Sequence, residues 1–231
     1  MKKVERKIKL MYLGKKYLSA GIALLWLFQG CAVHPPKSPE DVCEIFKEKR
    51  IKKIVLPNNQ KILCAKFRKG HFEGVLDIMD RFIKLINPKY TFMGEKDFQQ
   101  LKLIEKLVQQ NALPIVIHAC PSIRLKNGIS YSSRFKNFST HEKKILDNAA
   151  KFIYEHLIEL KHNVTSIILD KLKKNLLEVG VNKIDYLEVR NEKELSFASL
   201  YEKYRLFVAF YIGNIRVIDN FALHYKVKNK K

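Results

Sequence analysis

Three consecutive segments constrain the fold more than any others: "YTFM" (Tyr90 to Met93), an amphipathic stretch from Asp97 to Asn111, and "LPIVIHAC" (Leu113 to Cys120). The first is aromatic and β-branched, which suits a short buried strand. In the second, Leu101, Ile104 and Val108 recur at helical spacing, with Leu103 and Leu107 widening the stripe. The third is a continuous apolar run, expected of a parallel strand covered on both faces. Strand, helix and strand in this order make a βαβ unit, and the fold class is α/β. Between the first strand and the helix lies "GEKD" (Gly94 to Asp97). Open α/β sheets bind ligands at this position, because free helix amides and the positive end of the helix dipole favour an anion. Gly94 allows close backbone approach, and Lys96 supplies a mobile point charge suited to phosphate. On spacing alone, the tetrad more readily fits a turn glycine followed by a solvated lysine, since such tetrads are common.

The 231 residues suffice for one or two domains with a substantial core. Lysine and arginine total 44 against 23 acids, a net charge of +21. Such a charge suits nucleic acid, an anionic membrane surface or a polyanionic small molecule. The basic residues are spread along the whole chain without an aromatic-interleaved cluster, which favours a general lysine bias over specific nucleic-acid recognition. Cys31, Cys43, Cys64 and Cys120 show neither CxxC nor Cys/His spacing, so neither protein-ligated metal nor a disulfide framework is indicated.

Beyond residue 138 the pattern changes. "STHE" (Ser139 to Glu142) reads as a capping box opening a helix to about His162. A second amphipathic helix follows from about Thr165 to Val179, with Gly180 as its C-cap. "KIDYLEV" reads as a strand, and "YRLFVAFYI" and "IRVIDNFAL" flank Gly213 and Asn214 as a hairpin. Two helices against a three-stranded antiparallel sheet make a small α+β domain.

The amino terminus reads differently. Seven basic residues precede the apolar run "LSAGIALLWLFQG" (Leu18 to Gly30), and Cys31 follows. The pattern fits an export signal or a buried amphipathic helix, and the run is short for a spanning helix. "LFQGC" resembles a bacterial lipoprotein cleavage box, which would make Cys31 the lipidated residue and anchor the chain to a membrane. "HPPKSPED" cannot continue a helix and reads as a linker. "SPEDVCEIFKEKR" is similar to the segment after the lipid anchor in some lytic transglycosylases.

From about residue 51, "FRKGHFEGV", "FMGEKDFQQL", "NGISYSSRFKNFS" and "VAFYIGNIRVIDNFAL" stand in the order and spacing of the pantothenate synthetase (pantoate–β-alanine ligase) family, which the chain resembles. The resemblance implies part of a Rossmann-like nucleotidyl-transferase domain over 51–137, a small carboxyl-terminal domain over 138–231, and a leader and linker over 1–50. It implies an ATP-dependent ligase, using ATP with Mg²⁺, that joins pantoate to β-alanine through pantoyl adenylate; it allows a homodimer and places this part in the cytoplasm. By the same resemblance, Lys96 contacts the ATP phosphates, Gly94 and Asp97 lie beside the ribose, and Gln100 binds pantoate. Ser132, Ser133 and Arg134 match the second phosphate loop, where two hydroxyls and a forked guanidinium can grip the triphosphate. Lys96, Ser132, Ser133 and Arg134 are thus the catalytic candidates. Arg68 and His71 match a segment near the pantoate carboxylate; read by themselves they also fit a solvated arginine and a structural histidine.

Lys69 replaces the family's proline, Tyr131 an apolar residue, and Phe135 the asparagine after "SSR", a change expected to crowd or loosen that loop. No pair among the seven histidines has the spacing of the family's "HxGH" motif. A ligase impaired by that lack, and a remnant limited to nucleotide binding or association, both remain open.

Overall fold

A computed structural model describes residues 24–25, 54–197 and 203–223. The βαβ unit forms as its periodicity requires: β2 (Tyr90–Gly94) leads through a single 3₁₀ turn, Glu95–Asp97, into α3 (Phe98–Gln110) and then β3 (Val116–Cys120). β2 and β3 are parallel, in register from Tyr90 opposite Val116 to Gly94 opposite Cys120. A two-residue strand, β1 (Leu24–Leu25), lies antiparallel on the other side of β2, opposite Phe92 and Met93. The rest of the export-like run, including Cys31, lies outside the described residues. Two helices precede β2: the short α1 (Cys64–Phe67) and α2 (His71–Ile86). α2 buries Phe72, Val75, Leu76, Met79, Phe82 and Ile83, one helical stripe.

β3 departs from expectation. It is not covered on both faces: only Ile117 and Cys120 are partly buried, and Val116 is 50% exposed. Among the described residues it pairs with β2 alone and stands at the end of the sheet order β1-β2-β3.

The chain divides into two compact units, 1–120 and 121–231. The second contains α4 (Thr140–His162), α5 (Ser166–Glu178) and an antiparallel sheet of β4 (Lys183–Asn191), β5 (Tyr204–Ile212) and β6 (Ile215–Leu223), in that order. α4 turns Ile145, Leu146, Ala149, Ile153, Leu157 and Leu160 inward, against Leu172 and Leu176 of α5 and Leu206, Val208 and Phe210 of β5. After α5, the amides of Gly180 and Val181 donate to the carbonyls of Leu177 and Leu176, closing the helix end as the Gly180 cap predicts. The segment 121–137, which the sequence reading groups with the first domain, falls within the second unit. Ile129, Phe135 and Phe138 are part of its core. Among the described residues, no helix is long and apolar enough to cross a membrane.

Candidate functional site

In the first unit the candidate residues form two groups. β2 ends at Gly94 with extended backbone (φ −69°, ψ 134°), and a Cβ placed there would meet no atom within 4 Å. Among the described residues no steric contact calls for glycine at this point, and the absent side chain leaves open backbone at the strand end. Lys96 and Asp97 are half-buried in the following turn. Asp97 occupies the N-cap position of α3 without accepting a capping hydrogen bond. Gln100, one turn on, is buried. Because Gly94 lies opposite Cys120, the carboxyl ends of both parallel strands stand side by side beneath this turn.

Arg68 and His71 share the α1–α2 junction. The amide of Arg68 donates to the carbonyl of Cys64 at 3.0 Å, and the amide of His71 to the carbonyl of Arg68 at 3.2 Å. The His71 ring lies 5.0 Å from that of Phe72. Lys69, where the family has proline, is exposed. A residue the sequence reading passed over connects the two groups: buried Gln99 donates from Nε2 to the carbonyls of Ile62 (2.8 Å) and Gln60 (3.3 Å). It thereby ties the first turn of α3 to the segment that leads into α1. The sequence signal was an adjacent glutamine pair at the start of an amphipathic helix, and both members are buried.

The remaining candidates, Ser132, Ser133 and Arg134, belong to the second unit. They follow a small antiparallel turn in which the amide of Leu125 donates to the carbonyl of Ile129, that of Gly128 to the carbonyl of Leu125, and that of Tyr131 to the carbonyl of Ile123, each at 2.8 Å. Ser132 caps the 3₁₀ turn Ser133–Asn137, its Oγ accepting from the amide of Arg134 at 3.4 Å. Ser133 and Arg134 are exposed. Phe135 does not crowd this loop: it is buried and stacked on Phe138, ring centroids 5.3 Å apart.

Beneath the turn lies a polar network that the sequence reading did not identify. The carboxylate of Asp219 on β6 accepts from Ser130 Oγ (2.6 Å), the Ser130 amide (2.8 Å), the Asn220 amide (2.8 Å) and Arg124 Nη1 (3.1 Å). Arg124 also donates to the carbonyls of Gly128 (2.7 Å) and Asn220 (2.9 Å) and lies over the ring of Phe221. An acid amid the apolar run "IRVIDNFAL" was the available signal, since a carboxylate in a buried strand must find donors.

The family model for pantoate-beta-alanine ligase matches residues 19–222, beginning earlier than the four blocks and taking in part of the export-like run. The pantothenate synthetase of Christiangramia forsetii is 35% identical over 176 residues, covering 71% of this chain and 59% of the relative. That of Clostridium botulinum is 35% identical over 167 residues, 69% of this chain and 58% of the relative. This chain thus spans somewhat over half the length of these relatives. Among solved structures, the Thermus thermophilus pantothenate synthetase shares the fold, with a TM-score of 0.70 at 24% identity over 79% of this chain and 67% of that one. The Francisella tularensis pantoate-beta-alanine ligase, solved with beta-gamma ATP and beta-alanine, has a TM-score of 0.61 at 27% identity, over 78% of this chain and 62% of that one. With a family model matched from residue 19 to residue 222 and strand, helix and loop blocks in the family's order, the chain belongs to the pantoate–β-alanine ligase family.

Proposed function

We propose that this chain binds ATP and pantoate and serves the AMP-forming condensation of pantoate with β-alanine. The observation that carries the reading is the placement of Lys96 and Asp97 at the carboxyl end of a parallel strand and the start of a helix, above open backbone at Gly94. In this reaction the pantoate carboxylate attacks the α-phosphorus of ATP and pyrophosphate leaves. The amine of β-alanine then attacks the acyl carbon, and AMP leaves. The first step brings an anion onto an anion, so positive charge and donors around the phosphates lower its barrier. Lys96, Ser132, Ser133 and Arg134 are assigned that role, Gly94 and Asp97 the ribose, and Gln100, Arg68 and His71 pantoate. Mg²⁺ would arrive on the phosphate oxygens. Among the described residues, no group of three or more His, Cys, Asp or Glu could hold a metal by itself. A reaction that consumes ATP belongs in the cytoplasm, and the ligase part is assigned there.

The second reading is nucleotide binding without turnover, favoured by the lack of any histidine pair with "HxGH" spacing in the sequence. Loss of one preorganised donor costs about a hundredfold to a thousandfold in rate. Calorimetric titration of the full chain with ATP, repeated with Lys96→Ala, tests nucleotide binding. Saturable binding weakened by the substitution is expected, and no binding, or binding indifferent to it, rejects both readings. Release of AMP and pantothenate from ATP, pantoate and β-alanine separates them: a rate within tenfold of the enzyme median of about 10 per second establishes the ligase without impairment. Binding with no release leaves the second reading.

A further inference from the structure

We propose that Asp219 is a positioning residue that holds the Ser132–Arg134 loop ready for the phosphates of a nucleoside triphosphate. The inference rests on the phosphate-loop reading above and adds a residue that touches no substrate. Asp219 is buried, with a fully enclosed side chain, and its two oxygens accept four hydrogen bonds, about as many as an ionised carboxylate has lone-pair sites. Three of the four donors come from the turn that precedes the loop: Arg124 on one arm, and the amide and hydroxyl of Ser130 on the other. Ser130 stands two residues before Ser132. Downstream, Phe135 is fastened in the core by stacking on Phe138. The exposed span between is therefore pinned at both ends: by a charge-assisted cluster before Ser132 and by an aromatic anchor after Arg134. Such a span presents its hydroxyls and guanidinium in a set geometry before ligand arrives, which lowers the ordering cost of binding.

A purely structural role would lower the folded fraction and weaken every ligand alike. A positioning role would weaken the ligand that reaches the loop. Asp219→Asn keeps the size and places an amide donor against the donors of Ser130 or Arg124. In the full chain, the expected result by calorimetry is an ATP affinity lowered about tenfold to a hundredfold while AMP, which lacks the outer phosphates, changes by less than about threefold. Hydrogen exchange is expected to quicken over residues 129–135 and to stay unchanged in β5. Equal losses for ATP and AMP, or unchanged ATP affinity with unchanged exchange over 129–135, would overturn the proposal. Should Asp219→Asn fail to fold, Arg124→Gln, at a partly exposed position, is read by the same two criteria. Wild-type protein that binds neither nucleotide refutes the proposed function; the exchange comparison then decides by itself whether Asp219 orders the loop.

Discussion

Gly128 sits where a side chain would collide and strain at once. Its φ is +86°, and a Cβ there would fall 2.3 Å from the Tyr154 ring. Its carbonyl accepts from both Tyr154 Oη (3.0 Å) and Arg124 Nη1 (2.7 Å), so the turn before Ser132 depends on this one residue for its backbone shape. Alanine would hold an unfavourable φ and push Tyr154 from its bond and from its edge-on contact with Phe221. Gly128→Ala is therefore expected to lower stability by about 1 kcal/mol or more, seen as a shifted urea midpoint. An unchanged midpoint would show that the turn relaxes freely. Much at this scale was legible in the sequence: Gly94, Lys96, Asp97 and Gln100 stood in one short block, so their strand-end and first-turn placement followed from local periodicity. The role of Asp219 was not legible, because its donors Arg124 and Ser130 lie some ninety residues earlier in the chain. The direction of Phe135 was equally hidden; only the core of the second unit shows that it turns inward.

Among the elements, α4 begins as its sequence dictates. Ser139 Oγ accepts from the amide of Glu142 at 3.2 Å, and the Glu142 carboxylate accepts from the Ser139 amide at 2.8 Å. That carboxylate also lies against the β5–β6 turn: a Cβ at Gly213, where φ is +54°, would meet Glu142 Oε1 at 2.2 Å. The hairpin glycine thus serves both the turn and the room needed by the cap. Hydrogen bonds from the backbone and then the side chain of Ser139 hold the Glu142 carboxyl below its ordinary range, opposed by burial and aided least by the neighbouring His141. A folded value below the unfolded one means that this stabilisation is complete above the unfolded value and is lost as pH falls through the folded one. Relative to Glu142→Gln, wild type should be the more stable at neutral pH, and the gap should close as pH drops below the ordinary carboxylate range. Urea midpoints of both proteins from neutral to acid pH measure this, and a gap independent of pH contradicts it. β3 marks the limit of such local reading. An apolar run specifies a strand, but whether both faces are covered depends on which neighbours the sheet acquires.

The whole molecule comprises two compact units, and the core of the second draws its buried members from residues 129–223. With its own helical pair, its own sheet and the turn at 123–131, this unit holds what a domain needs to fold alone. A fragment of residues 121–231 is expected to unfold in urea in a single cooperative transition, with coincident far- and near-ultraviolet dichroism. A broad, non-cooperative loss would show that it depends on the first unit. The compact units divide at residue 120, whereas the family pattern of "SSRF" groups 121–137 with the nucleotide-binding part: a phosphate-loop pattern is local, and packing is not. The sequence by itself determined the elements, the helix caps, the hairpin and the strand-end placement of Gly94 to Asp97, since each depends on residues within a few positions of one another. Only the tertiary structure decided that 121–137 packs with the carboxyl-terminal sheet, that Asp219 and Arg124 meet beneath the loop, and that β3 keeps most of its side chains exposed. Those outcomes are set by burial and pairing between distant segments, for which no local pattern carries a signature.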